Sequence, residues 1–309
     1  MGRQNHVAVL MGGWSAEREV SLDTGAAVMA SLERLGYQAD AIDMTRNVAA
    51  DLKKTAPDVV FNALHGRFGE DGCVQGLLEV LGIAYTHSGV AASALAMDKL
   101  SAKEVFAATG LPVAEDEIVT REALFANDPM PRPYVLKPVR EGSSVGVMLV
   151  GVEGGYMGAI GPETSGPWDD HDALMCERYI PGRELSVAVL DDEPLGVIEL
   201  CPRDGFYDYT RKYTSGMTDH IMPAELDDEV TARAMEVARV AHECLGCRGV
   251  SRSDFRFEPA KGVEGLILLE TNTQPGMTEL SLVPEIAAYT GISFDALIQR
   301  LIDDAGLEK

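Results

Sequence analysis

Residues 250–282, VSRSDFRFEPAKGVEGLILLETNTQPGMTELSL, set the tightest limit on how this chain can fold. Ser251, Ser253, Phe255 and Phe257 alternate with Arg252, Asp254, Arg256 and Glu258. A period of two predicts a half-buried strand with one charged face. Pro259–Gly262 reads as a turn. The apolar run Gly265–Leu269 reads as a short buried strand ending on Glu270, Thr271 and Asn272. Glu270 and Asn272 stand two apart and point to the same side. Paired as a hairpin, the two strands bring Asp254, Glu270 and Asn272 to one polar patch. Two carboxylates and an amide oxygen are hard ligands. They suit Mg²⁺, which takes one or two carboxylates and fills its shell with water and phosphate oxygens. The same residues also suit a plain solvated strand face.

The 309 residues are enough for two or three domains. A hydrophobic share of 46% is ordinary for a soluble globular protein. The net charge of −23 argues against a nucleic-acid binder, which needs basic patches for the phosphate backbone. A few Lys and Arg in a cleft can still hold a triphosphate. MGRQNHVAVLMGGW contains one apolar run of five residues, too short for a signal peptide or a membrane span. The five cysteines lack framework spacing, and the lone pair Cys244 and Cys247 has no second CxxC. They read as thiols at a helix end in a reducing cytosol rather than as a zinc site.

From the start of the chain, VAVLM (7–11) predicts a buried strand. A Gly12-Gly13-Trp14-Ser15 turn and a helix over Ala16–Leu35 follow, with Ser15 as its cap and Gly36 as its stop. GxGxxG is missing, which disfavours a dinucleotide site. Glu17 falls in the first helical turn, where the helix dipole alone favours an acid. Asp58–Ala63 reads as a strand, LHGRFGEDG (64–72) as a polar loop and Cys73–Leu81 as a helix. A short strand over Ile83–Thr86 and a helix from Val90 come next. Strands alternating with helices predict a parallel open sheet with ligands at the carboxyl ends of its strands. His65 in such a loop is either a hydrogen-bonded structural residue or a ligand contact.

Beyond Asp98 the pattern changes. A helix with Lys99 and Lys103 runs to Gly110, and Tyr134–Lys137 reads as a strand. PVREGSSVG (138–146) joins it to Val147–Val150 as a flap whose N–H groups can cover an anion, with Lys137 at its base. It is not a P-loop, which needs GxxxxGK[ST] leading into a helix. Residues 151–172, rich in Gly, Pro and acids, read as an exposed connection. Leu174–Ile180, Leu185–Leu190 and Leu195–Cys201 read as strands, the last two antiparallel. Residues 202–223 show no burial pattern and are too long for an ordinary connection, which suggests a lid. Asp227–Leu245 reads as an amphipathic helix, and Pro284 onward as helical with a break at Gly291.

Seven motifs stand in a recognisable order: MGGWSAEREVSL (11–22), LHGRFGEDG (64–72), MDKLSAK (97–103), VLKPVREGSSVGV (135–147), YDYTRKYT (207–214), RSDF (252–255) and ETNTQPGMTELSLVP (270–284). Together they resemble the D-alanine–D-alanine ligases of the ATP-grasp superfamily across nearly the whole chain. The resemblance implies an α/β chain with a three-domain ATP-grasp architecture. An N-terminal parallel open sheet would occupy 1–98, and two α+β domains, 99–183 and 184–309, would grip ATP. It implies ligation of two D-alanines through D-alanyl phosphate, for peptidoglycan precursors. The alternative is a related ligase with another second substrate, such as D-lactate.

The resemblance also implies roles. Lys99, Lys137 and Lys212 would contact ATP phosphates beneath the loop that carries Ser143 and Ser144. Glu177, Arg178, Tyr179 and Ile180 would face adenine, and Glu184 the ribose. Asp254, Glu270 and Asn272 would hold two Mg²⁺ ions, with Mn²⁺ as a substitute. Glu17 would bind the ammonium of the first D-alanine, with His65 also lining the substrate site. Arg252 and Gly276 would stabilise the oxyanion, while Ser281 and Leu282 would take the second substrate's carboxylate. Ser143, Tyr213 and Glu17 resemble a triad that anchors the lid, and tyrosine at 213 resembles the peptide-forming version. A cytoplasmic homodimer with small-molecule partners, and no nucleic acid or membrane partner, is the expectation. Two departures stand out: Ser251 where many members carry glycine, and Phe68 in a loop often richer in glycine.

Overall fold

The computed structural model describes residues 6–142, 145–171, 173–203, 216–278 and 281–308. Its first unit runs β1 (His6–Met11), α1 (Arg18–Arg34), β2 (Gln38–Asp43), α2 (Val48–Thr55), β3 (Val59–Asn62), α3 (Cys73–Leu81) and β4 (Ala84–Tyr85). The strands pair in parallel in the order β2-β1-β3-β4. Val7, Val9, Val59 and Phe61 pack on one face, and Ala8, Leu10 and Val60 on the other. The strand order reverses between β1 and β3, so the loops after those two strands flank a crevice.

Helix α1 starts at Arg18, two residues later than its apolar spacing suggests. Ser15 does not cap it: the N-cap position falls on Glu17, and the Ser15 hydroxyl instead donates to the His65 carbonyl at 2.7 Å and accepts the Glu17 N–H at 3.2 Å. That hydroxyl ties the β1 loop to the β3 loop.

Helices α4 (Val90–Met97) and α5 (Lys99–Ala108) meet at Asp98, whose carboxylate caps α5 by accepting from Ser101 N at 3.0 Å. A second sheet follows, built from β5 (Asp116–Thr120), α6 (Arg121–Ala126), β6 (Tyr134–Pro138), β7 (Met148–Val150) and β8 (Ala173–Arg178). Its order is β5-β8-β6-β7, antiparallel throughout. The connection over 151–172 is not simply exposed as its composition suggests. Ile160 and Trp168 are buried against Tyr134, Leu136 and Leu174, and a short 3₁₀ turn spans Pro167–Asp169. Two apolar anchors are enough to seat a segment that is otherwise Gly, Pro and acid.

The third sheet contains β9 (Arg183–Leu190), β10 (Glu193–Pro202), β11 (Thr218–Ile221), β12 (Val250–Phe257) and β13 (Leu266–Asn272), in the order β11-β10-β9-β12-β13. The segment read as a lid therefore ends in a strand, β11, paired with β10. Helix α7 (Asp228–Leu245) and α5 cover one face, with Leu185, Val187, Phe255 and Leu268 beneath them. Helices α8 (Leu282–Tyr289) and α9 (Phe294–Asp304) join the opposite face to the first sheet, in one core with Val7, Val28, Ala188 and Val250. Among the described residues, no helix is long and apolar enough to cross a membrane.

Candidate active site

A cleft of about 620 Å³ opens where the β1 and β3 loops, the α4–α5 junction and the ends of β12 and β13 converge. Beside it, between the second and third sheets, lies a smaller pocket of about 90 Å³. That pocket is walled by Val135, Val147, Leu149, Ile180 and Leu269, with Glu184 at its rim. Lys99, Glu141, Asp254 and Glu270 line both spaces. The two cavities therefore meet at a charged neck.

The β12–β13 pairing explains how the neck is built. Asp254 stands opposite Glu270 and Arg252 opposite Asn272, which puts all four on one face. Simple alternation along LILLETN would not do this, because Leu266 and Leu268 are buried in the core and Glu270 would follow them. The register shifts between Asp254 and Phe255, which leaves Leu269 as the extra residue. This β-bulge reverses the alternation, so Glu270 and Asn272 turn into the cleft. Asp254 accepts from Ser186 Oγ at 2.6 Å, and from Arg252 Nε and Nη2 at 2.8 and 2.7 Å. Glu270 Oε2 lies 3.2 Å from Lys99 Nζ, which also donates to the Glu141 carbonyl at 2.6 Å. Asn272 Oδ1 accepts the Gln274 N–H at 2.7 Å.

Among the described residues, no three His, Cys, Asp or Glu side chains gather as a metal cluster. The donor set at the neck is two carboxylates and one amide oxygen. It fits Mg²⁺, which leaves most of its octahedral positions to water and phosphate oxygens.

The far end of the cleft is acidic. Glu17 and Glu70 are both buried there. Gly66, at φ +69°, lets the backbone approach Glu17; a Cβ at this position would lie 2.9 Å from Glu17 Oε2. His65 is buried beside Thr24 Oγ1, 3.1 Å from its Nε2. Burial, assisted by the nearby Arg252 charge, pushes its imidazole down to about 4, so it is neutral at pH 7.

Glu70 accepts the Gly66 N–H at 2.9 Å, yet burial and the adjacent Glu17 charge push its carboxyl up to about 8. The folded chain thus holds a proton that the unfolded chain releases near its ordinary value of 4.5. The stability that this proton confers is fully present below that value and is lost as pH rises to about 8, by at most roughly 1.4 kcal/mol per unit. Buried His65, held neutral, gives the opposite slope below its ordinary 6.5. We expect ligand- and metal-free protein to lose denaturant resistance between the ordinary histidine value of 6.5 and about 8, above the range in which His65 and His87 oppose Glu70, and Glu70→Gln to flatten the slope there. Equal slopes in the two proteins would show that Glu70 titrates normally.

The family model described as "D-ala D-ala ligase C-terminus" matches residues 105–303, and its N-terminal counterpart matches residues 47–88. A D-alanine–D-alanine ligase from Novosphingobium aromaticivorans is 53% identical over 300 residues, spanning 97% of this chain and 96% of that protein. The chain belongs to the D-alanine–D-alanine ligase family. Its fold is similar to that of the Bacillus anthracis D-alanine–D-alanine ligase complexed with ATP. The TM-score is 0.79 at 27% identity, over 97% of this chain and 96% of that one. The VanG D-Ala:D-Ser ligase from Enterococcus faecalis scores 0.78 at 29% identity, over 97% of this chain and 99% of that one. The ATP-grasp architecture expected from the motifs is thus shared with solved members of the ligase family.

Of the site residues that the ligase family suggested, Glu17, His65, Lys99, Arg252, Asp254, Glu270, Asn272, Gly276, Ser281 and Leu282 line the cleft. Lys137, Glu177, Arg178, Tyr179, Ile180 and Glu184 line the smaller pocket. Ser143, Ser144, Lys212 and Tyr213 lie outside the described residues. Ser281 precedes α8, and its Oγ accepts from Thr278 N at 2.9 Å. Glu70 was not singled out from its loop. The sequence signals an acid there, but its pairing with Glu17 arises only from the parallel sheet. Ser186, which holds Asp254 from the neighbouring strand, left no sequence signal.

Proposed function

We propose that this chain uses ATP to join two D-alanines, transferring the γ-phosphoryl group to give ADP and a D-alanyl phosphate and then releasing phosphate, to yield the D-alanyl-D-alanine of peptidoglycan precursors. The observation that carries this reading is the charged neck between a slim apolar pocket and an acid-ended cleft. An adenine ring suits the apolar pocket against Glu177–Ile180, with Glu184 toward the ribose. The triphosphate would then run past Lys137 and Lys99 to the neck. Asp254, Glu270 and Asn272 would hold Mg²⁺, which when bound neutralises phosphate charge. Lys212, Ser143 and Ser144 are proposed to close over the phosphates.

In the cleft, Glu17 would take the ammonium of the first D-alanine, with Glu70 close behind it. A cation seated there draws Glu70 toward its ionised form. The carboxylate of that alanine then points to the neck, where it receives the γ-phosphoryl group. The amine of a second D-alanine attacks the resulting anhydride, and phosphate leaves. Arg252 and the backbone at Gly276 face the oxyanion that forms. Ser281 and Leu282, at the start of α8, suit the second alanine's carboxylate, since a helix N-terminus favours an anion. A closed lid carrying Tyr213 would exclude water from the acyl phosphate.

D-Alanine rather than D-lactate is assigned as the second substrate, because relatives 51–54% identical carry the name D-alanine–D-alanine ligase. We further propose three domains over 1–98, 99–183 and 184–309, a homodimer, and a cytoplasmic setting. The deciding measurement is phosphate release from ATP with D-alanine, L-alanine or neither. Release that needs both Mg²⁺ and D-alanine is expected. Equal release with L-alanine would reject the substrate assignment, and mainly D-alanyl-D-lactate in a competition assay would reject the second substrate.

A further inference from the structure

The motif MDKLSAK carries two lysines, of which Lys99 reaches the cleft. Lys103, one turn later on α5, is only 3% exposed and lines neither cavity. Its Nζ donates to Glu177 Oε1 at 2.7 Å and to the Ala114 carbonyl at 2.8 Å, and lies 2.8 Å from Asp116 Oδ1. Asp116 and Glu177 are cross-strand partners on β5 and β8, so one ammonium sits between two carboxylates. The other Glu177 oxygen, Oε2, accepts from Lys137 Nζ at 2.6 Å. Glu177 is thus a buried carboxylate with a separate cation on each oxygen.

Burial alone would drive the Glu177 carboxyl toward its neutral form. The two ammonium groups, Lys137 and Lys103, outweigh burial and hold it below the usual glutamate range. A buried charge stripped of its partner is far more costly than an exposed one. Lys137 lines the nucleotide pocket, so any contact it makes with phosphate competes with its bond to Glu177.

We propose that Lys103 is a positioning residue for the nucleotide: by holding Glu177 Oε1, it keeps that carboxylate charged and seated while Lys137 turns from Oε2 to phosphate. Without Lys103, Lys137 is the only lysine on a buried carboxylate and stays with it. The inference rests on the reading that the smaller pocket takes ATP.

The test uses the full chain with ATP and Mg²⁺. Lys103→Gln keeps a hydrogen-bond donor and loses the charge. It is expected to bind ATP about tenfold more weakly and to raise the KM for ATP to match, with the KM for D-alanine unchanged. A merely structural lysine would lower thermal stability without separating the two KM values. Folded Lys103→Gln that binds ATP as the parent does would overturn the proposal. Should that variant fail to fold, Asp116→Asn decides. It leaves Lys103 with Glu177 and the Ala114 carbonyl, so ATP binding as tight as the parent's supports the proposal and a tenfold loss overturns it. Lys137→Gln serves as the control on the nucleotide reading. Unchanged ATP binding in that variant would remove the pocket assignment itself, whatever Lys103 does.

Discussion

Replacing Arg252 by lysine is expected to slow ligation roughly a hundred- to a thousandfold, about 3–4 kcal/mol of barrier, with the KM for ATP nearly unchanged. The guanidinium is fixed as a planar fork, with Nε on Asp254 Oδ1 at 2.8 Å and Nη2 on Oδ2 at 2.7 Å. It is half-buried, lines the larger cleft and does not line the smaller pocket. A donor already held in place costs no reorganisation when charge develops on the reacting carboxyl. Lysine keeps the positive charge but not the fork, so it cannot both hold Asp254 in two places and keep a fixed direction. Lysine is also the cleaner test than alanine, which would leave Asp254 with Ser186 alone among these partners. Initial rates at saturating substrates, set beside ATP titrations, give the result. A loss below about fivefold would mean that the oxyanion lies elsewhere.

The sequence announces the β12–β13 hairpin because its residues alternate with period two, and because a run such as LILL has few other uses. Its register was readable as a convergence of Asp254, Glu270 and Asn272. The bulge at Leu269 was not, and without it Glu270 would follow Leu268 into the core. Bulges depend on strand pairing, which local propensity does not encode. Strand β2 was missed for another reason. Its residues QADAID bury fully only Ile42, so an edge strand of the parallel sheet looks like solvated loop. Trp168 was lost inside a Gly- and Pro-rich stretch whose average composition hides one large anchor. Helix α7 was placed within a residue, since a periodic apolar face ends at Gly246 in the left-handed conformation. At the site, residues inside motifs were legible one at a time. The pairs that set their chemistry, Glu17 with Glu70 and Lys103 with Glu177, join different elements and emerge only when those elements pack.

Glu270→Gln is expected to bring the largest loss, about a thousandfold in ligation rate, while leaving the fold intact. Glutamine preserves the shape of the side chain and can still accept a hydrogen bond, so the change removes one charge at the neck. That neck is where the two cavities join, with Glu270 facing Asp254 across the strand pair. A divalent cation held by one carboxylate instead of two loses several kcal/mol of the charge stabilisation that phosphoryl transfer needs, at about 1.4 kcal/mol per tenfold. Lys99 would also lose its carboxylate partner at 3.2 Å, although its bond to the Glu141 carbonyl holds it at the neck. Stability should change little, because the Glu270 side chain is 31% exposed and partly solvated. The measurement is phosphate release at increasing Mg²⁺, with thermal unfolding as the control for folding. The variant should need markedly more Mg²⁺ for half-maximal rate and should not recover the parent's maximum. A loss under tenfold with an unchanged Mg²⁺ dependence would place the ion away from β13, and the neck would then serve only as a conduit between the two cavities.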